Sequence, residues 1–464
     1  MDSQTSPDRA FGNAPMMLSN NGIGDAYASE IRWRLFERLT DIGSRMPASD
    51  GERRGAQILE DHFDEHGLTD VSTTEFSVPS WSRGTSSLVL SNPVDRTFAG
   101  EHEVLALPGS PAETVTGEII DVGAGLPEHF ESKPVDGNIA LVSSQNPAEY
   151  GRAINRIEKY VLAENAGATG FVYYNDVPGS IAPTGTVGFG RNGPGKIPAV
   201  GITREVSRRI KRWLDRGTVS VTLSVDADIG RGTSRNVEAV LGPEGDEEVL
   251  LTSHVDAHDI GDGARDNAAG CALAAEVGRL LATVSELGCP VRVVCFGSEE
   301  IGLYGSTQWA NDNDLDRINC QVNLDGIGFS RSLMVTGTNP VVDPFVTASD
   351  ELGVPIRTET KMSPFNDAWP FAREGVPVAT CRSAPKQSDR VVRYGHEEWG
   401  HTHADTADKL DKRDLRDLSI QIAEGVATAT RVVDGERLTP AETVTHLPSG
   451  TGRYFELSNR EDGL

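Results

Sequence analysis

Cysteine is scarce in this chain, and none of the five (Cys271, Cys289, Cys295, Cys320, Cys381) stands in a Cys-x-x-Cys pair. An odd number at such spacings argues against a disulfide framework and makes buried thiols the expectation. Long apolar runs are missing too, since no stretch approaches the roughly 18 to 20 residues that a membrane-spanning helix needs. The opening segment MDSQTSPDRAFGNAPMML lacks a basic n-region and a sustained apolar h-region, so it does not read as a secretory signal, and a cytoplasmic location is expected. Positive charge is also short. Against 69 acidic side chains stand 43 basic ones, a formal charge of -26, which excludes nucleic acid and anionic membranes as ready partners.

The acidic residues are dispersed, and Arg outnumbers Lys several-fold. That pattern reads as a hydrated acidic surface of the halophilic kind, one that stays soluble at high salt. Withdrawing salt from the purified protein is then expected to cost both structure and activity; full circular-dichroism signal and turnover without added salt would overturn this expectation.

With 464 residues, the chain is too long for one ordinary core, so two domains or one domain with a large insert are expected. Residues 1–23 are polar and rich in Ser, Asn and Pro, and are expected to be poorly ordered. In 24–99, Ile31, Leu35, Leu39 and Ile42, then Ile58, Leu59 and Phe63 before Gly67, recur at helical spacing and predict two amphipathic helices. The texture changes across 100–228 to short β-rich runs (GEIIDV, GNIALVSS, GFVYYN, KIPAVGIT, VSVTLSV) between Gly-Pro turns, with one helix near Arg152 to Ala166. From 229 to 435, strand and helix signals alternate, the signature of an α/β fold with a mixed, mostly parallel sheet between helices. The segment 436–464 is a polar tail.

Three apolar runs of the α/β part end in residues that bind metal: EVLLTS leads into His254 and Asp256, VRVVCF into Glu299 and Glu300, and QVNL into Asp325. Ligands in open α/β sheets bind beyond the carboxyl ends of the strands, so these residues are expected to converge in one crevice. An acid after a strand is by itself more often a cap or turn former; three successive strand ends with the same property are harder to ascribe to chance. His254 and Asp256 stand two apart on one side of an extended chain, where the carboxylate can hydrogen-bond the second imidazole nitrogen and fix the metal-binding tautomer. Asp266 and Asn267 precede the next helix, where capping competes with metal binding as an explanation. GHTHADTADK offers two further imidazoles, His401 and His403. A site of imidazole and carboxylate without cysteine suits hydrolytic rather than structural zinc.

The ordered pieces HVD, GARDNAAG, GSEEIGLYGS, NLDGIG and HTHADT resemble the co-catalytic zinc exopeptidases that include leucyl aminopeptidases and glutamate carboxypeptidases. The resemblance is close over about 230–435, and the 100–228 insert resembles the protease-associated domain of some members. It implies two Zn2+ per chain, with Co2+ or Mn2+ as possible substitutes: His254, Asp266 and Asp325 on one, Asp266, Glu300 and His401 on the other. It also implies that Glu299 is the general base for an activated water, that Asp256 belongs with it among the catalytic residues, and that Asp405 supports the last histidine. SPFNDAWPFAREGVPV resembles the pocket segment, which makes Asp367 a substrate contact, with helix capping as the plain alternative. TEFSVPSWSRG and HVDAHDIGDGARDN are most similar to the plasma carboxypeptidase and dipeptidase branch, although His258 stands where that branch has an aromatic residue; we expect it to wall the pocket rather than bind metal. The implied activity is aminopeptidase or dipeptidase action on a short peptide, with carboxypeptidase action, a single-zinc glutaminyl-cyclase-like acyltransferase and a non-catalytic receptor-like binder as alternatives, and with a homodimer left open.

Overall fold

The computed structural model describes residues 16–451 except 101, 148–149, 151–153, 177–178, 189–193 and 385–398. Disorder expected for 1–23 thus lies mostly outside the described residues, and its last part is corrected. Ser19 caps the helix Asn20–Ala28 by accepting the Gly22 N–H at 3.1 Å, and Leu18 is buried in the core. Ser and Asn favour helix caps as well as coil, so the same letters that suggested disorder begin a helix.

One twisted path of strands runs through the molecule in the order Arg357–Glu359, Leu333–Gly337, Val378–Ser383, Ile318–Leu324, Glu248–His254, Val291–Phe296, Ser220–Leu241, Glu113–Gly123, Ile139–Ser143, Gly170–Tyr174, Ala199–Ile202, Val104–Ala106. At its centre Val291–Phe296, Glu248–His254, Ile318–Leu324 and Val378–Ser383 are mutually parallel, with Phe296 beside His254 and Leu324 beside Cys381. These strands are rich in apolar residues because helices bury both faces. Ala269–Leu281, Lys412–Val432 and Asn339–Leu352 pack into one core; Tyr304–Asp312 and Trp369–Ala372 cover the other, where Trp309 and Phe296 meet Phe371. The cysteines are free and buried, as expected.

Two of the three helices of the N-terminal part follow the apolar spacing, as Ile31–Thr40 and Asp50–Glu65. After them comes an element without a clear signal in the sequence. Thr69–Asn92 pairs antiparallel with Ser220–Leu241 from Thr69 opposite Val240 to Asn92 opposite Ser220, a ribbon that carries the chain out of the main sheet into the insert. Most of its positions are partly exposed on both faces, so the apolar alternation that marks a strand is diluted by Ser, Thr and Arg.

The insert is richer in helix than expected. Besides Arg156–Asn165 it contains Pro127–Glu131 and Arg204–Leu214, which pack against four parallel strands. REVSRRIKRWL buries only Val206, Ser207 and Ile210, too few apolar positions to announce a helix. The reading of 436–464 as a polar tail is also corrected. A capping box of Thr439 and Glu442 starts the helix Pro440–His446, and Leu447 is buried behind it; 452–464 lie outside the described residues.

Candidate metal centre

Every strand end singled out in the sequence opens on the same crevice. His254 is the last residue of its strand, Asp325 follows Ile318–Leu324, and Glu299 and Glu300 follow Val291–Phe296 across a turn at Gly297 and Ser298. Asp266 lies in the irregular turn Ala264–Ala268 ahead of the helix Ala269–Leu281, which Asn267 caps through its Oδ1 on the Gly270 N–H at 3.1 Å. Ser298 and His401 both hold left-handed backbone, φ 58 in each, which non-glycine residues adopt only when the surroundings enforce it. Ser298 is held by buried Glu52, whose Oε1 accepts its N–H at 3.1 Å. His401 is held by the insert: Thr184 N–H donates to its carbonyl at 2.8 Å, and Pro183 bridges to Thr402.

The side chains converge in two groups joined through one carboxylate. Asp266 Oδ1 is 3.2 Å from His254 Nε2, while its Oδ2 is 3.2 Å from His401 Nε2. Asp325 Oδ1 completes the first group at 3.8 Å from His254 Nε2, and Glu300 Oε2 joins the second at 3.4 Å from His401 Nε2. Donor atoms on a tetrahedral zinc, each about 2.0–2.1 Å from the ion, lie about 3.3 Å from one another. His254, Asp266 and Asp325 present ligand atoms all within 4.8 Å of one another, as do His258, Glu300 and His401.

Electrostatics favours the same occupant. Burial pushes the Glu300 carboxyl up to about 8 and Asp405 up to about 6, and it raises Glu299 well above its ordinary range. Asp266 moves the other way: the imidazoles of His254 and His401 outweigh its burial and hold it far below the usual carboxylate range. Burial opposes charge on His254 as well, yet Asp256, Asp266 and Asp325 hold its pKa well above the ordinary imidazole value. His254 Nε2 and Glu300 Oε1 are buried without a hydrogen-bond partner. Acidic groups crowded into a buried site, with imidazole nitrogens aimed among them and left unpaired, fit divalent cations.

Supporting contacts explain the precision and alter what was expected of several residues. Asp256 meets His254 Nδ1 twice, with its carboxylate Oδ1 at 3.6 Å and its main-chain carbonyl at 3.1 Å. The carboxylate also accepts the N–H groups of Glu299 and Glu300, each at 3.0 Å, and so positions the two adjacent glutamates. Asp405 supports Asp266 rather than His401, accepting Arg265 N–H at 2.8 Å and Asp266 N–H at 3.1 Å. Asp367, expected to touch substrate, is fully buried, with its carboxyl pushed up to about 7 by burial. His403 packs against His102 of the insert, apart from either group. Three participants had no sequence signal: Arg45, which donates to the carbonyls of Val255, Asp262 and Gly263; Glu52, discussed above; and Arg156 of the insert, whose Nη1 lies 3.4 Å from His401 Nδ1. The imidazole of His258 faces the second group, with Nε2 2.9 Å from Glu300 Oε2.

Above these residues lies a cavity of about 380 Å³ whose lining includes Asp266, Glu299, Glu300, Asp325 and His401 from the main domain and Arg156 and Thr184 from the insert. An α/β fold with two histidine-carboxylate groups joined by one aspartate at the strand ends, beside a further glutamate, defines the co-catalytic metallopeptidase class. Residues 236–426 match the model of peptidase family M28 and 115–210 match the PA domain, so the part that carries the site is similar to family M28 and the insert to a PA domain. It is 26% identical to the aminopeptidase YwaD of Bacillus subtilis, over 85% of this chain and 83% of that one, and 27% identical to carboxypeptidase Q of Rattus norvegicus, over 91% and 89%. Its fold matches that of a zinc aminopeptidase from Bacillus subtilis with a TM-score of 0.66 at 24% identity, covering 89% of this chain and 97% of that one.

Proposed function

We propose that this protein is a zinc-dependent exopeptidase that hydrolyses a terminal bond of short peptides, as an aminopeptidase or dipeptidase. The observation that carries the reading is the division of the Asp266 carboxylate, one oxygen toward His254 and the other toward His401, with Glu299 on the wall of the same cavity. His254, Asp266 and Asp325 would hold one ion, and Asp266, Glu300 and His401 the other. Two zinc ions in these places supply Lewis acidity toward the scissile carbonyl and lower the pKa of water. Glu299, half-buried and outside both ligand groups, takes a proton from the attacking water and returns it to the leaving amine. Asp256 keeps Glu299 and Glu300 in register, so that one carboxylate binds while its neighbour stays available for proton transfer.

The cavity favours a small substrate with a free carboxylate. Its volume is that of a small-molecule site, and the insert closes one side. Arg265 and Arg382 also line it, and a Cβ placed on Gly326 would be 3.3 Å from Nη2 of Arg265 and 3.5 Å from Nη2 of Arg382, so both guanidinium groups reach the backbone next to Asp325. Guanidinium groups suit a carboxylate better than an ammonium. This observation supports a substrate whose C-terminal carboxylate is free, as in dipeptidase or carboxypeptidase action. A dipeptide panel with free and blocked ends, assayed before chelation, after it and after zinc is returned, tests the reading. Amidation of the C-terminus is expected to lower kcat/KM roughly ten- to a hundredfold, the worth of a charge-assisted contact. Cleavage of N-acetylated dipeptides at an unchanged rate would rule out the aminopeptidase form, and activity that survives complete chelation would overturn the metal-dependent mechanism.

A further inference from the structure

His258 is 6% exposed, and both of its ring nitrogens are buried without a hydrogen-bond partner. An imidazole stacked in a pocket wall normally turns at least one nitrogen to water or to a carbonyl, because an unpaired buried polar atom is costly. Here Nε2 lies 2.9 Å from Glu300 Oε2, yet the two atoms are not aligned as donor and acceptor. Close approach without hydrogen-bond alignment is the relation between two ligands that point at a common centre. The third member is His401, whose ring stands edge-to-face with that of His258 at 4.7 Å between centroids and 74° between planes. Both flanks of His258 are fixed: Ala257 N–H donates to the Arg45 carbonyl at 3.0 Å, and Asp259 takes two bonds from Arg83, at 2.5 Å and 2.9 Å.

We infer that His258 is a metal ligand of this chain and adds an imidazole to the group of Asp266, Glu300 and His401. The inference rests on the proposed two-metal reading and departs from the ligand set that family resemblance implies. With His258 that group has four protein donors, whereas the group at His254 has three. A four-donor set is closed in the manner of structural zinc, and a three-donor set keeps a position open for chemistry. The two ions are therefore unequal: the one at His258 is held tightly, and the one at His254 exchanges.

Metal-free full-length protein titrated with Zn2+ against a chromophoric chelator tests this. The parent protein is expected to take up two equivalents with dissociation constants at least tenfold apart. His258→Phe is expected to weaken the tighter step by more than tenfold and to leave the weaker step in place. His258→Gln keeps an N–H donor for Glu300; if it restores parental affinity, His258 acts only by positioning Glu300 and the ligand assignment is overturned. X-ray absorption at the zinc edge of the fully loaded parent needs no variant: an imidazole count of three per zinc pair supports the assignment, and a count of two overturns it. A parent that binds no zinc would sink the two-metal reading itself, whereas two zinc ions bound alike by parent and His258→Phe would remove only the role of His258.

Discussion

Glu299→Gln is expected to lower kcat by 10²–10⁴-fold, the range that a positioned acid-base group contributes, while the protein still binds its full complement of zinc. Glutamine preserves the size of the side chain and leaves the backbone bond from residue 299 to Asp256 intact. It cannot accept the proton of the attacking water and hand it on. Metal content should stay at the parental level because Glu299 belongs to neither ligand group. Parallel measurement of kcat and of bound zinc separates the outcomes. Loss of both would make residue 299 a ligand, and retention of both would remove it from the reaction.

The core of the site was legible because its residues sit at the ends of strands that announce themselves. EVLLTS, VRVVCF and QVNL are rich in apolar residues because the strands are largely buried, and the polar residues that follow such runs fall at the carboxyl ends of the strands, where an open sheet forms its crevice. The family resemblance then distinguished His401 from His403, a choice that spacing left open. What was not legible depends on contacts between segments far apart in the chain. Glu52 reaches Ser298 across 246 positions, and Arg45 reaches the Asp262 carbonyl across 217. Neither shows in local pattern, because a buried charge on a polar helix or turn looks like a solvated one until the fold brings a partner to it. The surroundings of His258 belong with these, since only the fold brings Glu300 and His401 against its ring. The ribbon from Thr69 to Asn92 escaped notice because a strand with two half-exposed faces lacks the alternation that reveals one.

Asp266→Asn is expected to be the most damaging single change, with kcat/KM reduced by roughly 10³-fold or more. An amide keeps the shape but removes the negative charge and one of the two acceptor oxygens. Among the described residues, Asp266 is the one whose oxygens face both groups, at 3.2 Å in each direction, so a single substitution weakens both sites together. Losing several kcal/mol of charge stabilisation at the scissile carbonyl corresponds to that factor, at about 1.36 kcal/mol per tenfold. Asp405→Asn provides the internal control. Asp405 acts one step away, through the N–H groups of Arg265 and Asp266, and a change to such a support typically costs 10–100-fold in metal affinity. Raising free zinc should therefore restore Asp405→Asn to near-parental turnover, because mass action offsets a weakened site. It should not restore Asp266→Asn, where the shared charge itself is gone. Equal rescue of the two variants by zinc would mean that Asp266 only helps to shape the turn, and the case for one carboxylate serving two ions would fail.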